Sequence, residues 1–173
     1  MLDATSGPII IDDNVTIKSN IHLEGPLYVG NGSTISPLSY VKNSVIGPMC
    51  KIGGELNSVV IEGYTNKVHY GFLGNSYIGE WVNFGAGTTN SNLKNNYGKV
   101  RVQMNDEVFE TNRIHLGCFI GDYVKTSIGT KINTGSVYGS GSMIFSKDFP
   151  SKNIPIFTSV SYTHLTLPTS DLV

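Results

Sequence analysis

Long apolar runs are missing from this sequence: the longest uninterrupted one is a few residues, too short to span a bilayer. No charged start followed by an apolar stretch is present either, so neither a membrane segment nor a secretory leader is expected. Net charge is close to zero, at −1, with basic residues scattered singly. Without a polybasic run or basic residues interleaved with aromatics, a nucleic-acid surface is not expected. Cysteine is scarce. Cys50 and Cys118 form no metal or redox spacing, and they read as small core fillers in a reducing compartment, with cytoplasm as the expected location. Good helix formers are few. In their place stand 20 Gly and many Asn, Ser, Thr, Ile and Val, a composition of short strands and turns. A length of 173 residues suits one domain with a real core.

A six-residue beat runs through the chain. Ile11, Ile17, Leu23, Val29, Ile35 and Val41 form one row, and Val15, Ile21, Leu27, Ser33, Ser39 and Val45 form a second, four residues after the first. Ten of these twelve positions are apolar in a chain that is 39% hydrophobic, an outcome with a chance of order 0.2%. A period of six fits neither a helix nor a flat strand, whose side chains repeat at about 3.6 and 2. It fits a solenoid of short strands joined by tight corners, which accounts for Asp12-Asp13-Asn14 and Gly30-Asn31-Gly32 between the inward positions. Three sextets per coil make a triangular prism with coils about 4.8 Å apart. The register slips after Val45 to Ile46 and Ile52, returns at Phe72, Ile78 and Phe84, and lapses over a long polar loop near 90–113. It resumes with Ile114, Ile120, Thr126, Ile132, Tyr138 and Ile144, so about six coils fit between residues 11 and 146. The β-helix domain is expected over 1–157. Residues 158–173 follow no repeat and read as an irregular tail foreign to the fold.

Chemistry concentrates between His69 and Asn92. His69 lies three residues before Phe72, taken as inward, which places the imidazole at a corner open to solvent. A neutral imidazole suits removal of a proton near pH 7, worth about 10²–10⁴-fold in rate. Asn83 falls between inward Val82 and Phe84 and so points outward, either to present its amide to a ligand or to join an asparagine ladder between coils. The corner Gly85-Ala86-Gly87 lets a ligand approach backbone N–H groups, as a developing oxyanion requires. Tyr70, Tyr77 and Trp81 read as wall-covering residues. A zinc site of the carbonic-anhydrase kind needs three gathered histidines, and His22, His69 and His115 show no such pairing, so no metal is expected.

The stretch Leu73 to Thr88, preceded by His69, resembles the acetyltransferase half of bifunctional N-acetylglucosamine-1-phosphate uridylyltransferases. It looks closest to their shorter nucleotidyltransferase-like branch, through Asn90-Ser91-Asn92-Leu93-Lys94-Asn95-Asn96-Tyr97 and Gly121-Asp122. The resemblance covers about residues 40–157. It implies a left-handed parallel β-helix that forms a homotrimer, with acetyl-CoA between subunits and transfer of acetyl to the amine of glucosamine-1-phosphate or a similar amino sugar phosphate. By position it implies His69 as general base, Phe72 and Asn83 against the sugar, and Ala86 and Asn92 around the coenzyme. Asn92 reads equally as a turn residue. Ser39 and Asn57 stand where the family has an Arg and a Lys for the sugar phosphate. Lys42, Lys51 and Lys67 are the candidates to replace them, with Lys67 taken as substrate-binding. Leu93 and Asp122 also depart from the family pattern, and its basic C-terminal segment is missing. The other reading these departures leave open is a non-catalytic trimerisation or regulatory domain of a sugar nucleotidyltransferase.

Overall fold

A computed structural model describes residues 1–104, 107–146 and 148–161, with the backbone of residues 165–166. The chain winds as a three-walled parallel β-helix, and no helix occurs among the described residues. Short strands Thr16–Ile17, Thr34–Ile35, Lys51–Ile52 and Asn66–Lys67 stack in parallel as the first wall. Bridges at Asn83 carry that wall on to Lys125–Thr126, Met143–Ile144 and Ser159–Val160. Longer strands, His22–Val29, Tyr40–Ile46, Glu55–Gly63 and Phe72–Glu80, each bend through a corner and supply both other walls. Thr89–Asn90 and Lys131–Ile132 continue the second wall, and Cys118–Ile120, Ser136–Tyr138 and Asn153–Ile154 the third.

Each wall sends two columns of side chains into the lumen, two residues apart, as Cys50 with Ile52 and Thr65 with Lys67 on the first wall. On the third wall Val29, Ile46, Ile61, Ile78, Ile120, Tyr138 and Ile154 are all buried. No coil covers its own apolar face, so each buried Val, Ile or Leu contributes its ~1.5–3 kcal/mol only through its stacked neighbours. Cys50 and Cys118 are free, buried thiols in this core. Burial holds the Cys118 thiol up at about 12.

The observed register departs from the expected one where corners tighten. Val45 is 44% exposed and Ser44 takes the inward place, because Asn43 turns the corner in the left-handed region (φ 46°) and shortens it. Leu73, 2% exposed, is inward in place of Phe72 because left-handed Asn75 (φ 49°) shortens the same corner two coils later. Ile11 lies at the open end of the stack and Ile114 in the insertion, and both are exposed. The insertion leaves the wall after Asn90 and returns at Gly117. Its antiparallel hairpin, Arg101–Met104 with Glu107–Glu110, is pinned by buried Val100 and Val102. Past the expected boundary at 157, Thr158 and Val160 are still buried in the last circuit. Leu165–Thr166 then pairs antiparallel with Ser159–Val160, while residues 162–164 and 167–173 of the expected tail lie outside the described residues. Among the described residues no helix is long and apolar enough to cross a membrane.

Candidate active site

Two successive circuits differ in length at one corner, and this creates the site. Ile52 pairs with Lys67, and Glu55 pairs with Phe72. Between those pairs the shorter circuit has only Gly53-Gly54, whereas the next has Val68-His69-Tyr70-Gly71. His69 and Tyr70 therefore project beyond the recessed glycines as a ledge, and both side chains are exposed. The ring nitrogens of His69 make no hydrogen bond among the described residues, so they are open to a ligand.

Lys67 stands beneath the ledge. Its side chain continues the inward column of the first wall, between Ile52 and Phe84, and is 2% exposed. The ammonium donates to the Gly53 carbonyl at 3.0 Å and the His69 carbonyl at 3.1 Å. Burial pulls its pKa down to about 8. This corrects the expectation that Lys67 binds substrate. The side chain faces the lumen, and what it holds is the backbone of the His69 corner.

The other expected residues lie on the same two circuits. Phe72 lays its ring over Gly74 on the outer face of the second wall, and the Asn92 amide adjoins the same glycine. Asn92 Nδ2 donates to Asn75 Oδ1 at 2.6 Å, one coil away. Asn83 is exposed on the first wall, and its Oδ1 accepts from Asn66 Nδ2 at 2.9 Å, so it does join an asparagine ladder. Ala86 occupies the corner next to the ledge, where Gly87 N–H donates to the Tyr70 carbonyl at 3.0 Å. Of the backbone N–H groups expected to be approachable at this corner, two are taken by neighbouring coils. Gly85 donates to Thr126 and Gly87 to Tyr70, which leaves the Ala86 N–H without a partner among the described residues. Among the described residues the histidines gather into no metal-holding group: His22 lies tilted against Tyr40 in an earlier coil, and His115 closes the insertion opposite Leu93.

No protein-family model matches the chain. A bifunctional sugar-1-phosphate nucleotidylyltransferase/acetyltransferase of Sulfurisphaera tokodaii is 38% identical over 144 residues, covering 80% of this chain and 35% of that protein. The bifunctional protein GlmU of Thermodesulfovibrio yellowstonii is 31% identical over 150 residues, covering 85% of this chain and 30% of its own length. This chain resembles the bifunctional sugar-1-phosphate nucleotidylyltransferase/acetyltransferases. It spans about a third of their length. Among solved structures, the polysialic-acid-specific acetyltransferase NeuO aligns over 92% of this chain and 84% of its own, at 14% identity and a TM-score of 0.45.

Against the pattern of those bifunctional enzymes, the substituted positions take structural places here. Ser39 is buried and its hydroxyl donates to the Ser36 carbonyl at 2.7 Å, so it offers nothing to a phosphate. Asp122 Oδ1 accepts the Glu80 N–H at 2.8 Å. Trp81 stacks between Tyr64 and Tyr123, with ring centroids 4.6 and 6.4 Å apart, so its faces meet aromatic neighbours. One supporting residue escaped the sequence reading. Asn90 is buried and inward, accepts the Gly74 N–H at 2.8 Å, and donates to the Gly74 carbonyl at 2.9 Å. It thereby fixes the corner that carries Asn75 and, through it, Asn92. The only signal for it was a polar residue at an inward place just before the insertion.

Proposed function

We propose that the chain is an acetyl-CoA-dependent N-acetyltransferase acting on an amino sugar 1-phosphate, in the making of nucleotide sugars. The observation that carries this reading is the His69 ledge, an open imidazole one coil from the Ala86 N–H, which has no partner among the described residues. In the proposed reaction the imidazole removes a proton from the sugar ammonium, and the freed amine attacks the thioester carbonyl. A C–N bond forms, the C–S bond breaks, and the departing thiolate takes up a proton. In this reading the Ala86 N–H donates to the oxyanion, and Phe72 and Asn92, which both adjoin Gly74 on the second wall, supply an apolar ring and an amide for the ligands. Similarity to proteins named as acetyltransferases supports the acyl transfer. The proposed assembly is a homotrimer, with a second copy closing each ledge into a cleft.

A thiol-release assay with acetyl-CoA and glucosamine-1-phosphate tests this. Turnover is expected in the parent protein. It is expected to vanish in His69→Ala while far-ultraviolet circular dichroism stays the same, and retained turnover in that variant refutes the role of His69. The second reading is a trimerisation or regulatory domain without catalysis. It draws on one observation, the buried Ser39 at a place where the family has a phosphate-binding cation. Failure of the parent protein to turn over or to bind CoA selects it.

A further inference from the structure

A second concave feature lies at the corner between the second and third walls, whereas His69 stands at the corner between the first and second. Lys94 leads into the insertion, Arg101 opens its first strand, and Lys152 precedes the last strand of the third wall. These three cations line two adjoining cavities. One, of about 410 Å³, is bounded by Ser91, Lys94, Asn95, Asn96, Asn133 and Lys152. The other, of about 270 Å³, shares Lys94 and Lys152 and adds Arg101, Gln103 and the apolar Val108. Among the described residues no acidic side chain lines either cavity.

The placement is built in. Gly135 has no Cβ, and the space one would fill is taken by the Arg101 carbonyl and the Val100 side chain, so the base of the hairpin is seated on the coil. Val100 is fully buried there. Lys94 donates to the Lys99 carbonyl at 2.7 Å, which holds its ammonium over the cleft and leaves further donors. Arg101 has only a loose contact at 3.9 Å with Glu110, both side chains 64% exposed, a pair worth little in water. Lys152 feels the arrangement: burial, then Lys94, then Arg101 push its pKa down. Three like charges gathered here repel one another unless an anion joins them, and phosphate oxygens match this donor set of amides, ammoniums and guanidinium.

We propose that this cleft binds a phosphate-bearing group, a phosphomonoester or a diphosphate. The site stands whether or not His69 acts as a base. The test is calorimetric titration of the full chain with inorganic pyrophosphate. Binding is expected to weaken about tenfold in Lys152→Gln and in Lys94→Gln. It is expected to be unchanged in Lys18→Gln, which removes an exposed cation from the opposite end of the stack. Because the two cleft variants relieve repulsion, their melting temperatures are expected to equal or exceed that of the parent. Displacement of pyrophosphate by CoA identifies the coenzyme as the source of the phosphate, and displacement by glucosamine-1-phosphate identifies the sugar. No binding at about 10 mM pyrophosphate overturns the proposal. So does binding undiminished in both cleft variants, or an equal loss in Lys18→Gln.

Discussion

Lys67→Met separates two opposing effects at the core of the ledge. A lysine buried at 2% exposure and held near 8, against its ordinary 10.5, is disfavoured as a cation by about 3 kcal/mol. Against this, its ammonium satisfies the Gly53 and His69 carbonyls, and leaving each without a donor costs about 1–3 kcal/mol. At pH 7 the two effects nearly cancel, so stability at one pH decides nothing. The slope decides. Below about pH 8 the lysine is protonated in both folded and unfolded chains, and the full penalty applies. As pH rises from 8 towards 10.5 the folded chain gives up its proton first, the unfolded chain binds more protons, and folding becomes more favourable. The buried thiols act in the opposite sense, because Cys50 and Cys118 are held above their ordinary values and their unfolded forms ionise first. They titrate alike in both proteins, so the difference between parent and variant isolates Lys67. Urea denaturation at pH 7.5 and 9.5 is expected to show the parent gaining about 2 kcal/mol relative to Lys67→Met. Parallel pH–stability curves for the two proteins would refute a buried, titrating lysine.

Two further outcomes test the corners. Gly71 has φ 128°, and a Cβ there meets the Thr88 carbonyl. Gly129 has φ 73° with open space around it. Gly71→Ala is therefore expected to lose more than about 2 kcal/mol and Gly129→Ala about 1 kcal/mol in chemical denaturation, and equal losses would contradict the clash. Trp81 is the chain's one tryptophan, which makes its stack optically visible. Tyr64→Ala is expected to shift its emission more than Tyr123→Ala, each variant losing about 0.5–1.5 kcal/mol, and an unchanged spectrum in both would dissolve the ladder.

The repeat was legible because its inward residues carry most of the apolar pattern: Ile17 and Ile35 stand in one column as the beat requires, and Ile52 joins them after a one-residue slip. What the pattern hid is the length of individual corners. A left-handed Asn43 or Asn75 turns a corner with fewer residues and moves the inward place by one, from Val45 to Ser44 and from Phe72 to Leu73. Apolar residues on an outer face look the same in sequence as apolar residues inside, so Val45 and Phe72 misled. His69 was readable as a corner residue from its spacing. The inward turn of Lys67 was not, since an amphipathic lysine at an inward position contradicts the very pattern used to find such positions. Nor does spacing tell which N–H groups of Gly85-Ala86-Gly87 are taken by neighbouring coils.

The exposed histidine and the buried lysine share one origin. Lys51 to Asn66 makes a circuit of fifteen residues, and Asn66 to Asn83 one of seventeen. A solenoid of equal circuits lines up its corners and offers a ligand a flat prism edge. Removing two residues at Gly53-Gly54 recesses one corner, so His69 and Tyr70 overhang it and gain an open side. The same shortening brings the Gly53 and His69 carbonyls within reach of the lumen, where only a side chain from the inward column can donate to them. An apolar residue there leaves both carbonyls unsatisfied in a dry core, and a short polar one does not reach them. Lysine fits because its aliphatic stem packs with Ile52 and Phe84 while its head meets the carbonyls. The break in the repeat that exposes His69 therefore also requires a cation inside the wall behind it.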